Sequence, residues 1–341
     1  MSKHDIVVIG ASAGGMEALK QLVTRLPSNF PCAIFIVWHV APQYPSMLPQ
    51  ILEQVCPLPI AHAIDKEAIQ PGRIYIAPPD HHLLVEPGHV RVTHGPKENR
   101  FRPSIDVLFR SAALAYGPQA IGVVLTGFLD DGASGLYAIK ERGGLAVVQD
   151  PLDALYSSMP IEAMKVVAVD HCVPIAKLGA LLVDLANKVI KHKEENSVSE
   201  QMKLEVKVAL QDNAFESGIM KLGQLSPYTC PECHGVLLLL KEGNIIRFRC
   251  HTGHAYSLNS LLAELTESIE SALWTTLRGI EESQLLMNHM ADHLHVANNG
   301  EMAELFLQKS KEAKKRAELV KQAVMSNEAL SEEKLSSEIK G

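Results

Sequence analysis

Three short segments carry residue types that together could perform acyl transfer. The first is Gly10-Ala11-Ser12-Ala13-Gly14-Gly15, which follows an apolar run at 6–9 and precedes an amphipathic stretch at 16–26. Gly-x-Ser-x-Gly at a strand-to-helix turn lifts a hydroxyl above the edge of a sheet, its glycines permitting the sharp backbone. N–H groups at the start of the following helix could receive an oxyanion. By itself the motif also reads as an N-cap serine or a phosphate-binding turn. The phosphate reading fails twice: a dinucleotide fingerprint needs glycine where Ser12 stands, and an acid where the second strand ends in Trp38-His39.

His39 is the second element, at the carboxyl end of the run 33–38, with Val40-Ala41-Pro42 after it. The third is Leu125-Thr126-Gly127-Phe128-Leu129-Asp130-Asp131-Gly132, again after a strand-like run and before a helical one. A carboxylate there could orient and stabilise a histidine that takes a serine proton; the plainer reading is a helix N-cap. What favours chemistry is that all three types fall at one sheet edge, where open α/β sheets bind ligands. Neighbouring strands lie about 5 Å apart, so Ser12 and His39 can meet if their strands are adjacent. The order Ser, His, Asp matches none of the three familiar triad orders, which excludes a disguised α/β-hydrolase or subtilisin.

A second cluster has metal-ligand spacing. Cys230-Pro-Glu-Cys233 forms a tight knuckle, and Cys250-His251-Thr-Gly-His254 follows a strand-like return. Thiolates with imidazole select Zn²⁺. The expected ligands are Cys230, Cys233, Cys250 and His254, with His251 as the alternative fourth. A closed four-ligand set is structural rather than catalytic. The competing reading is free thiols in a small core. His81-His82 and His94 lack partners at fixed spacing and read as polar loop groups.

These residues need a scaffold. Apolar, β-branched runs recur at 6–9, 33–38, 73–77, 120–126 and 145–149, with helical patterns at 16–26, 104–116 and 134–142. Continuous apolar strands alternating with amphipathic helices predict an α/β fold: a doubly wound, mostly parallel sheet with helices on both faces. Segments 83–86 and 90–94, joined through Pro87-Gly88, predict a local hairpin. A helix at 176–191 closes a catalytic domain spanning 1–192. Residues 193–225 read as a linker in which LEVKVAL suits strand or helix. Residues 226–256 form the small zinc-type module. From 257 to 325 apolar residues recur at three- and four-residue steps (Leu258, Leu261, Leu265, Ile269, Leu273, Leu277, Ile280), predicting a helical hairpin or coiled coil. It would serve either as an interaction element, for instance in a homodimer, or as a hairpin packed on the module. A frayed tail, 326–341, ends the chain.

Composition narrows the partners. Of 341 residues 47% are hydrophobic and 21% charged, with a net charge of −7, which suits a packed core and disfavours nucleic-acid binding. No run approaches the roughly 18 apolar residues of a membrane span, and the N-terminus lacks a signal-peptide pattern. Six cysteines in a chain of this size do not make a disulfide scaffold. The expected compartment is the cytoplasm.

Six motifs in order, IGASAGG, VAPQYPSMLP, RIYIAPPDHHLLV, RPSIDVLFRSAA, LTGFLDDGASG and QDPLDALYSSMPIEAM, give residues 5–192 a specific resemblance to the catalytic domain of chemotaxis protein-glutamate methylesterases. The resemblance implies hydrolysis of glutamate γ-methyl esters on cytoplasmic receptor helices, with glutamine deamidation in some members, and no cofactor for catalysis. It makes Ser12 the nucleophile, His39 the general base and Asp131 its orienter. Arg100-Phe101-Arg102-Pro103-Ser104 matches the family and precedes a helix, and its arginines could contact an acidic receptor surface; Ser157-Ser158-Met159-Pro160 precedes another helix and reads as the site's rim, with Met159 equally suited to packing. The chain departs from the family pattern at Ala13, where threonine is common, and at Phe128-Leu129-Asp130, which replaces Met-Gly-Asn. The family's N-terminal phosphorylated receiver domain has no counterpart, so control by other means or constitutive action is expected. The segment after 226 resembles an accessory module found behind some stand-alone methylesterase domains. Two alternatives use the same residues: a non-catalytic chemosensory adaptor, and a hydrolase for another acyl or amide substrate.

Overall fold

A computed structural model describes residues 3–40, 42–43, 45–190, 198–210 and 218–327. Ala41 and Tyr44 of the His39 loop, parts of the expected linker, and nearly all of the expected tail lie outside the described residues. The chain begins with β1 (Ile6–Ala11), α1 (Gly15–Val23), β2 (Ala33–Trp38), α2 (Leu48–Glu53), β3 (Ile60–His62) and β4 (Ile74–Ile76). The expected hairpin follows as β5 (His82–Glu86) and β6 (His89–Thr93). Next come α3 (Ile105–Tyr116), β7 (Ala120–Val124), α4 (Ala133–Glu141), β8 (Leu145–Gln149), α5 (Ser158–Val166), β9 (His171–Val173) and α6 (Ile175–Asn187). Strands β3 and β9 are three residues each, too short to announce themselves by periodicity.

Seven strands form one sheet in the order β3-β4-β2-β1-β7-β8-β9, with every neighbouring pair parallel. Residues of β1 are buried throughout because helices cover both faces of the sheet. One face packs against Leu108, Phe109, Leu136 and Ile139 of α3 and α4. The other packs against Leu19, Leu22, Leu178 and Leu182 of α1 and α6. Each such side chain contributes about 1.5–3 kcal/mol on burial. The connections run one way from β1 to β2 and the other way from β7 to β8, so the crevice between β1 and β7 is a topological switch point.

The described part of the expected linker contains a helix, α7 (Glu200–Leu210), which settles LEVKVAL as helical. Its Val206 and Ala209 pack with Leu84 and Val107. The Cys/His segment is a four-stranded antiparallel sheet, β10 (Gln224–Thr229), β11 (Val236–Glu242), β12 (Ile245–Cys250) and β13 (Ala255–Ser257). Two compact units divide the chain, Met1–Ser260 and Leu261–Gly341, so this small sheet shares a unit with the large one. Two long helices follow, α8 (Leu258–Val296) and α9 (Gly300–Ser326). The second unit buries small residues along α9, Ala303, Ser310, Ala313 and Ala317. Among the described residues no helix is long and apolar enough to cross a membrane.

Candidate active site

Three loops at the carboxyl edge of the sheet converge at the switch point. Ser12 follows β1, His39 follows β2, and Asp131 follows β7. The β1 and β2 pairing sets Ala11 beside Trp38, which places the serine turn against the histidine. The Ser12 carbonyl is fixed by the Trp38 Nε1–H at 2.9 Å, and the Ser12 N–H donates to the Thr126 carbonyl at 3.0 Å. Gly127 is required here, because a Cβ would stand 2.0 Å from Met159 Sδ and 2.7 Å from Ser12 Cβ.

His39 Nδ1 lies 3.1 Å from Ser12 Oγ, and its Nε2 lies 2.9 Å from Asp131 Oδ2. The carboxylate fixes the tautomer. Burial alone would raise Asp131, but hydrogen bonds from His39, Asn99 and the Ile105 N–H hold it below the ordinary carboxylate range. An ionised carboxylate only accepts, so Nε2 carries the proton and Nδ1 offers its lone pair to the Ser12 hydroxyl. Phe101 stacks on the imidazole at 3.6 Å between centroids and 8° between planes, and the histidine side chain is only 3% exposed.

Asp131 sits at the N-terminus of α3. Its Oδ2 also accepts from the Ile105 N–H at 2.7 Å, and its Oδ1 accepts from Ser104 Oγ at 2.9 Å, Asn99 Nδ2 at 2.9 Å and the Asp106 N–H at 3.2 Å. Free N–H groups and the helix dipole favour an anion in that place. The exchange is reciprocal, since Asp106 in the first turn of α3 accepts from the Gly132 and Gly135 N–H groups that open α4. Burial, aided by the charge of Asp131, pushes Asp106 up to about 8. The neighbouring Asp130 accepts from Ser257 Oγ at 2.7 Å and is raised to about 7, chiefly by burial.

A cleft of about 720 Å³ opens over Ser12, lined among others by Trp38, His39, Arg100, Phe101 and Leu155. Leu155 is 72% exposed and Phe128, tilted against Tyr156 at 4.3 Å, is 45% exposed. Of the two readings of Met159, packing holds, since it is buried under Gly127, and Leu155 from the preceding turn lines the cleft. Arg102 is engaged with Asp80 at 2.7 Å. Among the histidines set aside, His82 is a buried core residue: Nε2 donates to the Pro96 carbonyl and Nδ1 accepts from the Ser104 N–H, and burial drives it to about 4. His94 meets Asp80 on the surface. Asn99 and Asp106 were not foreseen as site residues. Asp106 lies inside the quoted RPSIDVLFRSAA motif, whereas nothing in the sequence singles out Asn99.

None of the four residues of the Cys/His cluster lines this cleft. Ligand atoms of Cys230, Cys233, Cys250 and His254 all fall within 4.8 Å of one another. Cys233 Sγ and Cys250 Sγ are 3.6 Å apart, and His254 Nδ1 is 3.7 Å from Cys230 Sγ and 3.6 Å from Cys250 Sγ. A tetrahedral zinc with ordinary bond lengths separates two sulfurs by about 3.8 Å and sulfur from nitrogen by about 3.6 Å, so the donor set fits a metal of that kind. His251 is exposed and outside the cluster, its ring lying against Gly235.

A hydroxyl–imidazole–carboxylate relay stands at the switch point of a doubly wound sheet, in the geometry that a serine hydrolase uses. The family described as CheB methylesterase matches residues 7–182, slightly more than half of the sequence. This chain belongs to the CheB methylesterase family. A Leptospira interrogans relative is 43% identical over 183 residues, which are 53% of this chain and 95% of that one. The protein-glutamate methylesterase/protein-glutamine glutaminase of Hydrogenovibrio crunogenus is 38% identical over 189 residues, 54% of this chain and 50% of that one. The solved catalytic domain of the Thermotoga maritima CheB methylesterase superposes with a TM-score of 0.52 at 33% identity, covering 54% of this chain and 100% of that domain.

Proposed function

We propose that this chain is a serine esterase that hydrolyses glutamate γ-methyl esters, and glutamine γ-amides, on the cytoplasmic helices of chemoreceptors. The observation that carries the reading is the hydrogen-bonded relay from Ser12 Oγ through His39 to Asp131 at the floor of an open cleft. His39 Nδ1 takes the Ser12 proton as Oγ attacks the ester carbonyl, and Asp131 stabilises the imidazolium. The N–H of Ala13 or Phe128 receives the oxyanion. The imidazolium returns its proton to the leaving methoxide, methanol departs, and a water activated by His39 cleaves the acyl-enzyme to the free glutamate and Ser12. The exposed Leu155 beside Ser12 suits a substrate presented on an amphipathic helix.

The cluster of Cys230, Cys233, Cys250 and His254 is assigned a structural zinc, with residues 226–256 as its module and 1–192 as the catalytic domain. Metal analysis should return about one zinc per chain; no zinc, with all thiols freely titratable, rejects that assignment. The main reading is tested by methanol release from methylated receptor fragments. Release by the wild type that disappears in Ser12→Ala supports it. A folded wild type that releases none would favour the adaptor or another acyl substrate.

A further inference from the structure

The segment joining β6 to α3 has one side in the triad and the other in the Cys/His sheet. Phe101 lies on His39. Two residues earlier, Asn99 is 2% exposed and has a left-handed backbone, φ 52°, which asparagine tolerates better than most residues. Its Nδ2 donates to Asp131 Oδ1 at 2.9 Å and to Asp106 Oδ2 at 2.8 Å. Its Oδ1 accepts from the Ser257 N–H at 3.0 Å and from Ser260 Oγ at 3.3 Å, at the junction of β13 with α8. The Asn99 N–H donates to the Ala255 carbonyl, the Ala255 N–H donates to the Lys97 carbonyl, and Lys97 Nζ meets Glu232 at 2.6 Å. Glu98 is buried against Arg247 and Arg249 of β12.

All of the side-chain amide's capacity is therefore spent, donors on Asp131 and Asp106 and acceptor on the β13–α8 junction. That division fixes which way the amide points. A flipped amide would set its oxygen against the ionised Asp131 and its NH₂ against the Ser257 N–H. We propose that Asn99 is a positioning residue for Asp131 and that the Ser257 N–H and the Ser260 hydroxyl set its aim, which makes the β13–α8 junction, where the Cys/His sheet ends, a working part of the active site. Asn99 is the donor to Asp131 that comes from outside the start of α3 and the imidazole, and it also bridges Asp131 to Asp106. Asp130, which stands where the family has asparagine, is tied to the same junction through Ser257. The β13–α8 junction thus holds the triad's carboxylate loop at two neighbouring residues, Asp130 directly and Asp131 through Asn99.

This inference rests on the serine-hydrolase reading, so its test uses the reactivity of Ser12 itself. A fluorophosphonate labels an activated serine whatever the natural substrate, and the labelling rate constant at saturation is compared with the final extent of labelling. Ser257→Ala/Ser260→Ala strips the Ser260 hydroxyl from Asn99 and the Ser257 hydroxyl from Asp130 while leaving the Ser257 N–H on Asn99; the rate constant should fall about 10-fold, and in Asn99→Ala about 100-fold, the scale of a misplaced catalytic group. The extent should stay complete, the probe's half-saturation should hold, and Ser257→Thr/Ser260→Thr should restore the rate. Variants labelled at the wild-type rate would overturn the proposal. So would a reduced extent at an unchanged rate, since that reports only loss of folded protein. A wild type that never labels at Ser12 would instead overturn the hydrolase reading and this inference with it.

Discussion

Charge is buried at two adjoining places in the first unit, by different means. At the sheet edge, Asp131 is kept ionised by five neutral donors: two backbone N–H groups, an amide, a hydroxyl and the imidazole. At the seam with the Cys/His sheet, Glu98 and Glu205 lie among the guanidiniums of Arg110, Arg247 and Arg249, with Glu242 also on Arg247. Despite burial, those arginines hold Glu98 well below the ordinary range and Glu205 at about 2. Neutral donors leave a full negative charge facing the His39 ring, which is what the proposed relay requires. Three arginines against three glutamates cancel, and the result joins α3, α7, β11 and β12 without offering charge to a reaction. Asn99 and Glu98, adjacent in sequence, place one foot in each arrangement.

The contrast breaks most visibly at the triad. Asp131→Asn keeps size but offers a donor where five donors converge, and it removes the anion that fixes the His39 tautomer. The kcat for methanol release should fall about 10³–10⁴-fold; a loss below 10-fold would mean the charge is not used. At the seam the expected loss is in stability. Glu98→Gln leaves three guanidiniums over two carboxylates and should cost about 3–5 kcal/mol in urea unfolding, the usual cost of orphaning one partner of a buried pair. A change under about 1 kcal/mol would show the seam to be solvated rather than ion-paired.

Asp106 sharpens the contrast through pH. Its folded pKa, about 8, lies above its unfolded value, so the folded chain binds the extra proton between about pH 4 and 8. Its contribution to stability therefore grows as pH falls through that window. Asp131, held low, contributes in the opposite sense only when pH drops below the ordinary carboxylate range. Between pH 8 and 5.5 the wild type should gain stability relative to Asp106→Asn; equal slopes would place the proton elsewhere. The smallest effect belongs to Leu129, which stands where the family has glycine and has φ 61°. Leu129→Gly should raise stability by about 0.5–1 kcal/mol by relieving the left-handed strain, and Leu129→Ala should not.

The sheet and the converging loops were legible in the sequence because β-branched runs ending in Gly-x-Ser, Trp-His and Asp-Asp each sit at a strand terminus. The seam was not. Glu98 meets Arg247 and Arg249 across about 150 residues, and ion pairs at that separation leave no periodicity. LEVKVAL was ambiguous for a related reason: Glu205 reads as a solvent-facing charge until its arginines are in place, yet it is wholly buried. Spacing alone left His251 and His254 both open, and only the turn after Cys250 brings His254 to the three sulfurs. Asn99 escaped because a lone asparagine before Arg-Phe-Arg-Pro reads as a turn residue.

Trapping the covalent intermediate would test the role of Ser12 at first hand. The wild type is mixed with a helical peptide bearing a glutamate γ-methyl ester, quenched in acid within the first turnovers, and measured by intact mass. The expected product is an adduct equal to the peptide less methanol, located on the peptide containing Ser12 and cleared as free acid accumulates. Methanol release with no adduct at any time, or an adduct on a residue other than Ser12, would contradict it.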